Sequence, residues 1–260
     1  MSHPDHIARS WAHAIELLYE DCWNPALKRY RSNLAFRGLS DAGYDLKTSL
    51  NRLVGAYNAE RHLLRNFRKY AQMGDADGRF SDWRWLTVGQ HHGLPTRLLD
   101  WTYSPFVALH FATVAARERD RDGVVWCVDY TQCNAMVPKR LRAHMLDAGS
   151  NVFTVEMLER EAPTLPRFDA MAKRPFTLFF EPPSIDARIV NQYALFSVMS
   201  SPTTVFDAWL GAHPGLYRRV VIPHSIKPEI RDKLDQANIT ERVLFPGLDG
   251  LAAWLTRHYQ

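Results

Sequence analysis

The strongest constraint on the fold is a change of pattern near residue 123. Before it, apolar residues recur mostly at three- and four-residue intervals. After it, β-branched and aromatic runs dominate. Ile7, Trp11, Ile15, Leu18 and Cys22 form one apolar stripe, which predicts an amphipathic helix over residues 5–22, ended by Asn24 and Pro25. A second helix is expected over residues 60–72, where Arg61, Arg65, Arg68 and Lys69 read as a solvated face. A polar turn over 74–82 and a helix over 83–90 follow. Ser104 and Pro105 signal another helix start, since Ser can cap and Pro suits the first helical position. Short strands are expected over 34–37 and 96–102. Beyond Gly123, strands are expected over 124–129, 177–180, 188–192, 194–198 and 218–222, with helices only over 229–237 and 248–258. Residues 188–198 read as a strand pair, or as one irregular strand. The expectation is α+β: helices of the N-terminal half packed on a mixed, mostly antiparallel sheet.

The 260 residues suffice for one large domain, and neither repeats nor a linker divide them. The reading is an N-terminal helical segment over 1–33 and one domain over 34–260. Three cysteines without CxxC spacing argue against a disulfide framework and a zinc site. No apolar run is long enough for a signal peptide or membrane span, so a cytoplasmic protein without membrane contact is expected. The net charge of +4 permits a polyanionic partner without demanding one.

Phosphate-binding P-loops, Gly-rich dinucleotide loops, HExxH and GxSxG are missing. His91 and His92 are adjacent, and no neighbouring Cys, Asp or Glu pattern completes a metal site. The chemistry concentrates in QHHGLPTRLLDWT, residues 90–102, which gathers polar, titratable and aromatic residues around a Gly and a Pro.

This stretch resembles the FRG domain family, whose hallmark is QHxGxPTRLLDWT. The eponymous Phe36, Arg37 and Gly38 are present, and a small-residue helix follows from Ser104. The family's Arg-Ile-x-x-Gln stands at Arg188, Ile189 and Gln192, and Phe245 and Pro246 resemble its closing motif. The family usually has Gly two residues after that Gln; here it is Ala194. The resemblance runs from Leu34 to the C-terminus and implies a toxin or phage-defence effector that modifies nucleic acid or protein.

The order of these residues is also similar to that of ADP-ribosyltransferase folds, which implies an NAD-binding cleft. On that reading Arg37, Thr102, Asp100 and Gln192 are the catalytic candidates. Arg37, His92, Arg97, Trp101, Ser104 and Tyr193 are the cofactor-binding candidates. An Arg can hold a pyrophosphate bidentately, and aromatic rings can stack on nicotinamide or adenine. Such folds place a Glu near the ribose to stabilise developing positive charge, and Gln192 brings no charge. Gln192→Glu should therefore raise NAD turnover, unless the Gln192 amide donates a buried hydrogen bond. Two alternatives stand beside this one. The first is a non-catalytic nucleotide or nucleic-acid binding module, in which Arg37, Arg97, His91 and His92 face phosphate. The second is a hydrolase with His92 as base and Asp100 as its orienting partner. The single-site reading brings Arg37, His92, Arg97, Asp100, Thr102 and Gln192 to one concavity. Each residue also has a plainer reading: Arg37 and Asp100 as a structural ion pair, Trp101 as core, and Gln90 as a partner for loop backbone.

Overall fold

The computed structural model describes residues 5–53, 55–71 and 80–259. Its strands are β1 (His6–Ile7), β2 (Trp23–Asn24), β3 (Arg29–Tyr30), β4 (Leu34–Leu39), β5 (Leu98–Thr102), β6 (Gly123–Asp129), β7 (Phe153–Thr154), β8 (Thr177–Glu181), β9 (Ala194–Met199) and β10 (Tyr217–Ile222). Its helices are α1 (Trp11–Tyr19), α2 (Ala56–Tyr70), α3 (Asp82–His91), α4 (Pro105–Thr113), α5 (Tyr130–Ala135), α6 (Lys139–Asp147), α7 (Val155–Glu161), α8 (Leu165–Asp169), α9 (Ala187–Asn191), α10 (Phe206–Gly211), α11 (Lys227–Gln236), α12 (Glu241–Leu244) and α13 (Leu248–His258). Among the described residues no helix is long and apolar enough to cross a membrane.

Eight strands form one sheet in the order β1-β10-β6-β4-β5-β9-β8-β7. The internal pairs are antiparallel, and only the edge pairs β1–β10 and β7–β8 are parallel. The fold is thus α+β on a large mixed sheet. The expected split of helices and strands between the two halves of the chain is corrected, because α5 to α10 and α12 follow Gly123 in addition to the expected α11 and α13. Helices α5 to α10 are short and sit between strands, where caps such as Asp129 (on Gln132 N, 2.9 Å) start them within a few residues.

Three further differences are local. The first helix runs only from Trp11 to Tyr19 because Ser10 caps it. Residues 23–30 then form the β2–β3 hairpin, and β1 pairs with β10 in the large sheet, so residues 5–33 are not simply helical. Residues 72–79, which hold most of the expected polar turn and the end of the expected second helix, lie outside the described residues. Residues 188–191 are helical rather than extended, because Asp186 accepts from Ile189 N (3.1 Å) and starts α9.

Side chains alternate across a strand, so directly opposed residues share a face. Phe36 opposes both Cys127 and Thr102, and Thr102 opposes Ala194. On that face Phe36, Val125, Cys127 and Val220 pack against α4, α1 and α11. Further along the same face Leu98, Phe180, Phe196 and Val198 pack against α3, α7 and α8. The opposite face carries Leu99, Trp101, Val124 and Leu195 against α5 and α10. The first face therefore has two helical layers with a seam between them, and the seam lies over β4 and β5. These two strands share a single register pair, Phe36 with Thr102. Beyond it β4 stays with β6 and β5 stays with β9, so the sheet forks.

Helix α4 rests directly on the strands. A Cβ on Gly38 would lie 1.8 Å from the Ala108 carbonyl oxygen, and one on Gly123 would lie 2.4 Å from that of Ala112. Neither helix backbone atom can yield, so no side chain is admitted at these points. A polar network also ties α4 to the C-terminal helices. His110 on α4 is fully buried, with Nδ1 2.9 Å from Arg231 Nη1. Arg231 and Arg257 both donate to Asp235, and Arg257 also donates to Glu241.

Gly38→Ala should cost about 3 kcal/mol or more, because overpacking here meets backbone. Gly211→Ala, with nothing within 4 Å, should stay within about 0.5 kcal/mol of the parent. Urea unfolding of the two variants checks this. A pH effect is also expected. Burial first, and then the Arg231 charge, push His110 down to about 4. The unfolded chain takes this proton near about pH 6.5, which the folded ring refuses. The ring's contribution should be complete above that value and be lost as pH falls toward 4, by at most about 3 kcal/mol. The His110 ring should remain neutral in an NMR titration at about pH 5.5.

Candidate functional site

The fork between β4 and β5 opens into a cleft of about 230 Å³. Its floor is Phe36, Arg37 and Gly38 of β4, Asp100 and Thr102 of β5, and Ala194 and Phe196 of β9. One wall is Val107 and Phe111 of α4; another is Gln90 and His91 at the end of α3; the third is Arg188, Ile189 and Gln192 of the α9 turn. The volume lies a little below the usual range for small-molecule sites, so a ligand larger than one ring and its immediate substituents would extend past the mouth.

Arg37 bridges the fork. Its Nη1 donates to the Asp100 carbonyl at 2.5 Å and lies 4.0 Å from Asp100 Oδ2. The Arg37 side chain is 20% exposed, and among the described residues its Nε and Nη2 have no hydrogen-bond partner. Burial pushes its pKa down; the Asp100 carboxylate opposes that, and nearby Arg52 adds to it. Asp100 is 58% exposed and is oriented by Gln90 Nε2 at 2.9 Å. Gln90 in turn accepts from the Thr96 hydroxyl.

Thr102 and Gln192 are occupied otherwise. The Thr102 hydroxyl donates to the Gln192 carbonyl (2.7 Å) and accepts from Ser104 N (3.0 Å). The Gln192 amide donates to the Leu244 carbonyl at 3.0 Å. Gln192 caps the C-terminus of α9 and is not on a strand. Above it, His91 Nε2 lies 2.5 Å from Asp186 Oδ2. Burial lowers the His91 pKa more than Asp186 raises it, so the ring is held toward the neutral form. Arg188 lies over the Phe245 ring at 4.9 Å.

Arg37, Asp100, Thr102 and Gln192 thus come together, while the single-site expectation is corrected for His92 and Arg97. His92 is an exposed helix-end residue packed edge-on against His91. Arg97 is 3% exposed, bonded to Glu60 and Asp169 beneath the sheet face. Burial alone would push its pKa down, but the two carboxylates outweigh that and raise it. Trp101 borders the cleft, yet its indole lies in the opposite core, donating to Ser197 Oγ at 2.8 Å between Phe179 and Phe206. Ser104 caps α4, accepting from Val107 N at 3.4 Å. Tyr193 is 61% exposed and does not border the cleft.

Residues 32–121 match the FRG domain family. That match supports the FRG family, and the matched segment carries β4, α3, β5 and α4, hence two walls of the cleft and the floor apart from β9. The third wall, from α9, lies outside it. No curated protein and no solved structure matches the chain. Within the FRG segment the Phe-Arg-Gly triplet has a division of labour: Phe36 fills the core, Arg37 springs from the Trp126 side and borders the cleft at the fork, and Gly38 admits α4. His91 lines the cleft as the binding-module alternative expected, whereas Val107, Phe111 and Phe196 are lining residues that the sequence pattern did not single out. A signal did exist for the α9 wall: Arg188, Ile189 and Gln192 share one face at helical spacing, once Asp186 is recognised as a cap.

Because Gln192 donates to a carbonyl, Gln192→Glu sets an acceptor against an acceptor. The substitution should cost about 1–3 kcal/mol, read from the urea midpoint.

Proposed function

We propose that the cleft binds a nucleotide of the NAD type, with Arg37 holding a phosphate and Asp100 facing the adjoining sugar. The carrying observation is the state of Arg37. A guanidinium left with unpaired N–H groups in a half-closed site is unfavourable, and a bidentate oxyanion satisfies it. Arg52 nearby adds positive potential. Phe36, Phe111 and Phe196 give an apolar surface to a base or nicotinamide ring. The strand order also supports an ADP-ribosyltransferase-like arrangement, since β4, β5 and β9 are neighbours and carry Arg37, Thr102 and the turn after Gln192. In NAD the bond at risk joins nicotinamide to ribose, and its cleavage leaves positive charge on the sugar. Asp100, not Gln192, is the carboxylate placed to stabilise that charge. The acceptor is then water, nucleic acid or a protein, as in toxin and phage-defence chemistry.

One observation favours a second reading, a nucleotide-binding module without chemistry. The Thr102 hydroxyl and the Gln192 amide nitrogen are engaged by α9, α4 and α12 and not by a ligand.

Calorimetric titration with NAD and with ADP-ribose tests the proposal. Both should bind, and Arg37→Ala should weaken both by roughly 10- to 100-fold, the worth of hydrogen bonds to a charged group. Released nicotinamide, measured by chromatography, should appear with the parent protein and fall sharply in Asp100→Asn. Binding without release selects the module reading. Absence of binding by either ligand at millimolar concentration would sink both.

A further inference from the structure

Around the rim of the cleft three tyrosines pack together, and the central one, Tyr103, holds a carboxylate. Tyr103 follows Thr102, Tyr130 begins α5, Tyr193 precedes β9 and Glu181 ends β8. The Tyr103 ring meets Tyr130 at 5.5 Å and Tyr193 at 5.4 Å, both edge to face. The Tyr103 hydroxyl donates to Glu181 Oε1 at 2.9 Å, and the Tyr130 hydroxyl bonds Tyr103 and Asn151. Burial, and then the Glu181 charge, raise the Tyr103 pKa far above its ordinary value, so it stays a donor. Glu181 is exposed, and among the described residues no cation pairs with it.

Tyr193 is the residue that packing does not explain. It stands just past the end of α9 with φ +50, its N–H bonded to the Val190 carbonyl at 3.0 Å. That left-handed position favours glycine, because any Cβ there is crowded. A tyrosine accepts the steric penalty, yet 61% of it remains in solvent, so burial does not offset the strain. What the side chain adds is an aromatic face beside an unpaired carboxylate. Ring faces are electron-rich, and a carboxylate among them strengthens the attraction for a positive group.

We propose that Tyr103, Tyr193 and Glu181, backed by Tyr130, form a binding site for an organic cation, either a guanidinium or an alkylated ammonium group. The cation lies on the outward face of Tyr193 with its charge toward Glu181. Thr102 and Gln192, the sequence neighbours of Tyr103 and Tyr193, border the nucleotide cleft, so a cation here sits beside that cleft without entering it. The site does not depend on what the cleft binds.

The test is calorimetry at low salt with N-acetyl-arginine amide, with tetramethylammonium, and with the neutral N-acetyl-citrulline amide. At least one cation should bind and the citrulline compound should not. Preference for the arginine compound identifies a side chain of a protein partner; preference for tetramethylammonium identifies a small quaternary ligand. Tyr193→Gly should weaken binding roughly fivefold or more, while its melting temperature stays level or rises because glycine relieves the left-handed strain. Glu181→Gln should weaken binding to a similar extent. Cations that bind no better than the citrulline compound overturn the proposal. So does a Tyr193→Gly protein that is more stable and binds as well as the parent.

Discussion

The single register pair between Phe36 and Thr102 holds the two halves of the sheet together. One side of the fork belongs to the β4–β6–β10 half, covered by α4, α1 and α11. The other belongs to the β5–β9–β8 half, covered by α3, α7 and α8. Few ladder bonds cross the junction, so other contacts must keep it closed at one end and open at the other. Helix α4 does the first, connected to the end of β5 through the Ser104 cap and seated on β4 at Gly38 without intervening side chains. Arg37 does the second, reaching across to the Asp100 carbonyl where the strands have already separated. The cleft exists because the ladder stops there, and its shape follows from which residues hold the two edges.

Two arginines from the hallmark motifs show how a similar charge is put to different use. Arg97 has carboxylates on both sides of its guanidinium and is closed from solvent. A buried charge so paired is structurally committed, and removing one partner would leave the other uncompensated. Arg37 has one carbonyl, a distant carboxylate and open N–H groups. Nothing in the local sequence separates these two environments. The carboxylates that close Arg97, Glu60 and Asp169, lie 37 and 72 residues away in sequence. Charge type was legible; charge compensation required tertiary contacts.

The same distinction governs the rest of the sequence reading. Strands β5, β6, β8, β9 and β10 were visible because their β-branched and aromatic runs match their burial, and α4 was visible because Ser104 and Pro105 carry their own capping physics. The short helices α5 to α10 were not, since five to nine residues give too few turns for a 3.6-residue period to stand out. The error over 188–192 came from β-branched Ile189 and Val190, whose strand preference is overridden by the Asp186 cap and by packing against α12. It mattered, because it turned Gln192 from a strand residue facing a ligand into a helix end facing the Leu244 carbonyl.

That displacement changes the chemistry the cleft can support. A charge-stabilising group must be exposed to the ligand and free to interact when charge develops. Gln192 borders the cleft, but its amide nitrogen is held by the Leu244 carbonyl and it carries no charge. Asp100 meets both: it is open to solvent, it borders the cleft, and Gln90 fixes one oxygen while the other remains available. A carboxylate on β5 opposite Arg37 of β4 also places opposite charges across the fork from each other. The polarity of the cleft is thereby set by alternation along β5, with Asp100 on the open face and Leu99 and Trp101 buried on the other.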